Sequence, residues 1–321
     1  MMRAPSFWRE DGTMPRLLAP LSHVFAAATE RRVAQIGWRA PVPVICCGSP
    51  TVGGAGKTTM ALDLGRRLSA RGIAVHFLIR GYGGKARGTR RVYPGDTAEI
   101  VGDEALLLHD VAPAWIGGDR ADSARAAVAQ GARALVMDDG LQNPTLIKTL
   151  SILIVDGSYG FGNGQVMPAG PLREPISAAA ARCQVAVLIG EDTTGALAQL
   201  PAELPVLRAR LRPGPEMLAL RGRRVFAFAG IAVPEKFFSS LTEAGALLVG
   251  SAGFADHHPF TEAELRHVLD QARKLDAIAV TTPKDAARLS PAVRQQVHST
   301  GVDLEWEDPS QIEALLTRAL G

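Results

Sequence analysis

Thr51-Val52-Gly53-Gly54-Ala55-Gly56-Lys57-Thr58 follows the apolar run Val42–Cys47 and opens a stretch with helical spacing. Strand, glycine-rich turn and helix, in that order, form the setting that a phosphate-binding loop requires. The glycines let the backbone wrap closely and aim N–H groups at phosphate oxygens from a helix N-terminus. Lys57 is placed to reach the β- and γ-phosphates of a nucleotide, and the Thr58 hydroxyl to hold Mg²⁺. The first position is Thr51 rather than the usual glycine. A chance glycine-rich turn is the competing reading, and Gly-Lys-Thr between a strand and a helix argues against it.

Outward from this loop, short β-rich runs alternate with helical stretches. The runs Val42–Cys47, Ala74–Ile79, Ala114–Ile116, Ala134–Met137 and Leu150–Val155 predict strands, with helices near 57–71, 103–111 and 119–130 between them. Such alternation predicts βαβ units and a mainly parallel sheet covered on both faces. A loop rich in glycine and proline, Gly157 to Pro175, leads to further strands at Val185–Ile189 and Val206–Leu211. Pro213-Gly214-Pro215 marks a domain boundary. Beyond it strands at 225–229, 246–249 and 277–281 alternate with helices at 234–243 and 262–273. The expected organisation is an N-terminal amphipathic segment 1–35, a P-loop domain 36–212 and a smaller C-terminal α/β domain 213–321, with a cleft between the last two.

The chain of 321 residues is 47% hydrophobic and 21% charged, an ordinary globular composition without repeats or low-complexity segments. A formal charge of +3 is too small to argue for nucleic acid. Arg80, Lys85, Arg87, Arg90 and Arg91 cluster in one glycine-rich stretch, which suits either acidic groups or a solvated loop. Cys46, Cys47 and Cys183 read as buried thiols of a reducing compartment, with no metal-ligand spacing. No stretch approaches the roughly 20 apolar residues of a spanning helix. Near the N-terminus Leu17, Leu18, Leu21, Val24, Phe25 and Ala28 share one helical face, with Arg16, Arg31 and Arg32 flanking and Phe7-Trp8 upstream. Pro20 and His23 interrupt the apolar part and no cleavage site follows, so a signal peptide is not expected. Docking on the protein itself and lying in a membrane interface both fit this pattern.

Several acidic groups could serve the nucleotide. Asp138-Asp139-Gly140 ends an apolar run with two carboxylates, where a P-loop protein orders Mg²⁺ or its waters, though Asp-Gly is also a good turn pair. Gly102-Asp103-Glu104 opens a helical run, and on the residues alone helix capping is favoured. Asp256-His257-His258-Pro259-Phe260 precedes the capping box Thr261 to Glu264. Its histidines suit a surface loop or an acid–base site equally.

Taken in order and spacing, these motifs resemble one family, the lipid A 4′-kinases (tetraacyldisaccharide 4′-kinases) of Gram-negative bacteria. The similarity runs from Phe7-Trp8 to about Leu289. It covers Gly48 through Thr58, where the family tends to carry a small hydroxyl residue at the position of Thr51. It continues through Arg80-Gly81-Tyr82-Gly83, Gly102-Asp103-Glu104, Asp138-Asp139-Gly140-Leu141-Gln142 and Pro168-Ala169-Gly170-Pro171-Leu172-Arg173-Glu174-Pro175. Later matches are Ala229-Gly230-Ile231-Ala232, Asp256 to Phe260, and Thr281-Thr282-Pro283-Lys284-Asp285. Ser49, Leu141, Asn143 and Pro283 depart from the usual asparagine, phenylalanine, histidine and glutamate.

The resemblance implies a Rossmann-like P-loop kinase domain and a smaller C-terminal domain closing over ATP. It implies transfer of the γ-phosphate to the 4′-hydroxyl of a tetraacyldisaccharide 1-phosphate, giving lipid IVA in lipid A biosynthesis. Asp103 with His257 is then the base for the sugar hydroxyl, with Lys57 on the phosphates. Glu104, Asp138 and Asp139 become magnesium and nucleotide-side acids, and Gln142, Asn143 and Arg173 face the glycolipid. The N-terminal helix becomes a docking element for the cytoplasmic face of the inner membrane, with no nucleic acid or obligate protein partner expected. Three other readings differ in class. A membrane-associated ATPase switch would carry lysine where Val52 stands. A metallochaperone GTPase would carry a cysteine-containing metal motif, and a kinase for a soluble metabolite would not need the amphipathic N-terminus.

Overall fold

The computed structural model describes residues 5–54 and 56–321. Its larger sheet is nine-stranded and runs β13-β8-β7-β6-β1-β5-β2-β4-β3. The strands are β1 (Val44–Gly48), β2 (Val75–Ile79), β3 (Arg90–Arg91), β4 (Ala114–Ile116), β5 (Ala134–Asp138), β6 (Leu150–Asp156), β7 (Val185–Ile189), β8 (Val206–Pro213) and β13 (Val302–Trp306). Neighbours from β8 to β4 pair in parallel, and the edge strands β13 and β3 are antiparallel to theirs. The fold is that of an α/β P-loop protein, as the alternation predicts.

β1, β2 and β5 are buried along their whole lengths, as strands covered on both faces must be. Ile45 and Cys47 point into one apolar layer and Val44 and Cys46 into the other. The three cysteines are free and buried, and burial pushes the Cys46 thiol up to about 11, which makes it inert. The first layer holds α2 (Lys57–Ala70) and α4 (Asp103–His109), preceded by the single turn α3 (Ala98–Val101). The second holds α5 (Arg120–Ala129). Gly65 lets α2 sit directly on β2, since a Cβ there would lie 2.2 Å from Cζ of Phe77.

β1 lies between β5 and β6, and the chain moves outward from it in both directions. A crevice opens at such a reversal beyond the carboxyl ends of the strands, and the P-loop leaves β1 there.

The N-terminal helix α1 (Thr13–Val33) packs on the loop after β6 and near α6 (Ile176–Ala180), with Phe25 and Ala26 against that apolar cluster. Past α7 (Pro215–Leu218) a smaller parallel sheet has the order β10-β9-β11-β12, made of β9 (Arg224–Ala229), β10 (Leu247–Gly253), β11 (Ile278–Thr281) and β12 (His298–Ser299). Helices α8 (Pro234–Glu243) and α9 (Glu262–Lys274) cover it, and the short α10 (Pro283–Ala286) and α11 (Pro291–Arg294) follow β11.

One boundary departs from the expected organisation. The chain leaves the small sheet after β12, and β13 returns to pair with β8 in the large one. The terminal helix α12 (Pro309–Leu320) then packs with α2, burying Ile312, Leu315 and Leu316 in the large core. Segment 302–321 therefore belongs with the P-loop unit rather than with the C-terminal one. The cause is physical: β13 covers an otherwise open edge of β8, and α12 covers apolar surface of α2.

Candidate active site

The phosphate loop is held at its root by the strap between β6 and α6. Thr51 bridges to Leu172, the Val52 N–H donates to Pro171 O at 2.9 Å, and the Arg173 N–H donates to Pro50 O at 2.7 Å. Thr51 is buried and its hydroxyl meets the Ser49 hydroxyl at 2.8 Å, which gives the unusual first residue a structural reason. Toward the loop crest, no atom of the described residues stands within 4 Å of a Cβ built on Gly53 or Gly54, so this face is bare backbone. Gly56 is the N-cap of α2 with φ 79°, a left-handed conformation open to glycine, and a Cβ there would meet Ile189 Cδ1 at 2.6 Å. Ala55, the remaining motif position, lies outside the described residues.

Lys57 is buried and folds back on its own loop, donating to Gly53 O at 2.8 Å with Asp139 at 3.7 Å. Burial lowers its pKa, and the Asp139 charge opposes that. Thr58 Oγ1 donates to Asp138 Oδ2 at 2.8 Å, while Asp138 Oδ1 is buried without a partner among the described residues. Burial, with Asp139 beside it, pushes the Asp138 carboxyl up to about 6. A hydroxyl and a carboxylate with one oxygen unused fit a hard cation with oxygen ligands. Asp139 has a positive φ of 51° and forms a two-pronged pair with Arg173, both bonds 2.8 Å.

The second half of the site lies at the N-terminus of α4, a helix packed against α2. Asp103 is only 3% exposed, and the side chains that pair with its Oδ2 come from the small unit. His257 Nδ1 lies 3.0 Å from Asp103 Oδ2, and Arg288 Nε donates to the same oxygen at 3.1 Å. The Glu104 N–H donates to Oδ1 at 3.0 Å. Lys284 Nζ sits 2.9 Å from Glu104 Oε1 and 3.1 Å from His257 Nε2. An ammonium only donates, so these partners assign His257 the neutral form with its proton on Nδ1.

Burial disfavours the Asp103 charge, but hydrogen bonds from His257 and Glu104 and the Lys284 charge outweigh it, holding the carboxyl well below the usual range. Burial and the Asp103 carboxylate beside it push Glu104 up to about 7 despite Lys284. The hydrogen bond to Asp103 raises the pKa of His257.

Comparison with known proteins identifies the family. A sequence model of the family described as "LpxK: Tetraacyldisaccharide-1-P 4'-kinase" matches residues 14–321. The chain belongs to the tetraacyldisaccharide 4′-kinase family. A protein of that name from Gluconacetobacter diazotrophicus is 54% identical over 318 residues, 98% of this chain and 97% of its own length. Another, from Rhodospirillum rubrum, is 51% identical over 325 residues, covering 99% and 98%. The crystal structure of the "apo" form of LpxK from Aquifex aeolicus, in complex with ATP, superimposes with a TM-score of 0.76 at 24% identity. It covers 96% of this chain and 100% of the other, and supports the fold.

Against the expectations of the sequence, the structure brings Lys57, Thr58, Asp138, Asp139 and Arg173 together at one end and Asp103 and His257 at the other. Glu104 joins the second group, bonded to Lys284, and not the Thr58–Asp138 pair with which it was grouped as a magnesium acid. Gln142, expected to face glycolipid, is buried, and its amide donates to Ser49 O at 3.1 Å and Glu174 Oε1 at 2.7 Å. Asn143 is partly exposed, its Oδ1 accepting from Thr145 N at 3.1 Å and Thr145 Oγ1 at 3.0 Å and its Nδ2 donating to Gly118 O at 3.3 Å. Both amides hold the loop after β5 in shape. Arg173 also keeps a partly exposed guanidinium.

Sequence reasoning assigned no role to Lys284 and Arg288. Lys284 stood inside a quoted motif, and Arg288 lies four residues on, one helical turn away; no local pattern marks either.

Gly56→Ala is expected to weaken binding of a fluorescent ADP analogue by at least about tenfold, from left-handed strain and the Ile189 clash. Circular dichroism should show the sheet and helices intact.

Proposed function

We propose that this chain transfers the γ-phosphate of ATP to the 4′-hydroxyl of a tetraacyldisaccharide 1-phosphate at a membrane surface. The observation that carries this reading is the His257 ring, delivered by the small unit to within 3.0 Å of Asp103 on the P-loop unit. Family membership supports the substrate class, and the bare loop crest above Lys57 supports a triphosphate.

Phosphoryl transfer through a loose transition state asks mainly for position and charge neutralisation. Lys57 and the loop N–H groups stand where the β- and γ-oxygens must lie. Thr58 and Asp138 would hold Mg²⁺, which when bound neutralises phosphate charge. Asp103 Oδ2 is filled by His257 and Arg288, whereas among the described residues Oδ1 is hydrogen-bonded by Glu104 alone, through its N–H. The acceptor proton passes to that oxygen as the new O–P bond forms and ADP departs with the electrons of the bond that breaks. A weakly basic carboxylate suffices, because little proton transfer is needed before the P–O bond is largely broken. His257 fixes the carboxylate and stabilises its charge. Arg173, anchored on Asp139, offers its partly exposed guanidinium to the acceptor side.

The reading of α1 as a membrane element gains support from its inverted polarity. Met14, Leu17, Leu21 and Val24 lie on one face and are exposed by 51%, 70%, 58% and 69%. The opposite side buries Ser22 and Thr29. Ser22 Oγ donates to Val166 O at 2.7 Å and accepts from Ala169 N at 3.1 Å, anchoring the helix on the strap. A helix that hydrogen-bonds inward and turns leucines outward is built to lie in a bilayer interface. No helix among the described residues is long and apolar enough to cross a membrane. Peripheral attachment to the cytoplasmic face, where ATP is available, is the arrangement proposed.

Incubation with labelled ATP and tetraacyldisaccharide 1-phosphate in detergent micelles should move label onto the lipid, and no transfer would remove the reading. Asp103→Ala and His257→Ala should each lower turnover by about 100-fold or more while nucleotide affinity stays within about threefold. Near-normal turnover in either variant at saturating glycolipid contradicts the assignment. Leu17, Leu21 and Val24 replaced together by aspartate should abolish sedimentation with phospholipid vesicles and leave ADP affinity unchanged. Undiminished sedimentation contradicts the interfacial role.

A further inference from the structure

Arg288 touches more of the site than any role assigned so far explains. Its guanidinium has a side-chain exposure of 9%. Nε donates to Asp103 Oδ2 at 3.1 Å, Nη1 to His258 O at 3.2 Å, and Nη2 to Gly230 O at 3.2 Å. Nη1 also lies 3.3 Å from Asp285 Oδ1. Gly230 is itself pinned, its N–H donating to both Asp285 oxygens at 3.1 Å.

The turn these contacts surround carries His257. That residue has a φ of 57°, an unfavourable conformation for a side chain with a Cβ, so its neighbours must hold it there. Its N–H donates at 3.0 Å to Gly230 O, the same carbonyl that accepts from Arg288. Arg288 thus grips the Gly230 carbonyl on which the turn is anchored and the carbonyl of His258, and with its third nitrogen reaches across to the carboxylate that His257 also meets.

We propose that Arg288 is a positioning residue for phosphoryl transfer: it locks the turn that presents His257 and occupies Asp103 Oδ2, so that Oδ1 alone faces the acceptor hydroxyl. The inference rests on the assignment of Asp103 and His257 to that hydroxyl. The fork geometry is what serves here, since a lysine ammonium is a single point that cannot span three acceptors on two units.

The test is steady-state kinetics of Arg288→Lys, Arg288→Met, Asp103→Asn and the Arg288→Lys/Asp103→Asn double variant, with thermal midpoints and ADP affinities of each. Arg288→Lys is expected to lower kcat by about 30-fold or more and to leave KM for ATP within about threefold, because misplacement penalises the reacting geometry and not binding. On the Asp103→Asn background the same change should cost less than about threefold further, since the carboxylate it orients is gone. Should Arg288→Met fail to fold, Arg288→Lys keeps the charge and carries the test. Turnover of Arg288→Lys within about threefold of the parent overturns the inference, as does a loss that multiplies in full with Asp103→Asn. Near-parental turnover of Asp103→Asn alone would instead remove the base assignment, and this inference with it.

Discussion

A carboxylate that is 3% exposed must be paired or give up its charge, and Asp103 is paired by residues from the far side of the cleft. His257 and Arg288 are both carried by the unit built on β9, β10 and β11, while Asp103 opens a helix of the P-loop unit. This carboxylate therefore draws its side-chain partners from the other unit. In the proposed reaction, contact between the two units would assemble the site and exclude water from the phosphoryl donor together.

At the nucleotide end the physics is different. There the backbone does the work, and side chains hold the backbone. The strap 161–174 is joined on one side to α1 through Ser22, and on the other to the phosphate loop through Thr51 and Val52. The element that presents leucines outward and the loop that cradles phosphate are thus fastened to the same piece of chain. In the proposed reaction this strap would bring a glycolipid held at a bilayer and a nucleotide to one place.

Much of the fold was legible because buried parallel strands are continuous apolar runs and the P-loop has a sequence form tied to its chemistry. The strands Val75–Ile79, Ala114–Ile116 and Val185–Ile189 fall where the pattern put them. The return of β13 was not legible: Val302-Asp303-Leu304-Glu305-Trp306 alternates like many strands, and nothing local says that β8 is its partner. Asp103 reads on its own as a helix cap, and His257 fits a surface loop and an acid–base site equally; only the resemblance to a family joins them. Arg288, which meets Asp103 from 185 positions away, left no trace at all. Gln142 misled because an amide in a site motif looks like a ligand contact, whereas burial here makes it a brace.

The central claim is that His257 Nδ1–H bonds the Asp103 carboxylate across the cleft in solution. Proton NMR of the full chain with ¹⁵N-histidine labelling reads this bond directly. The account predicts a strongly downfield Nδ1 proton assignable to His257, protected from exchange, and absent in Asp103→Asn. A His257 ring with the shift and rapid exchange of free imidazole, unchanged by that substitution, would contradict it.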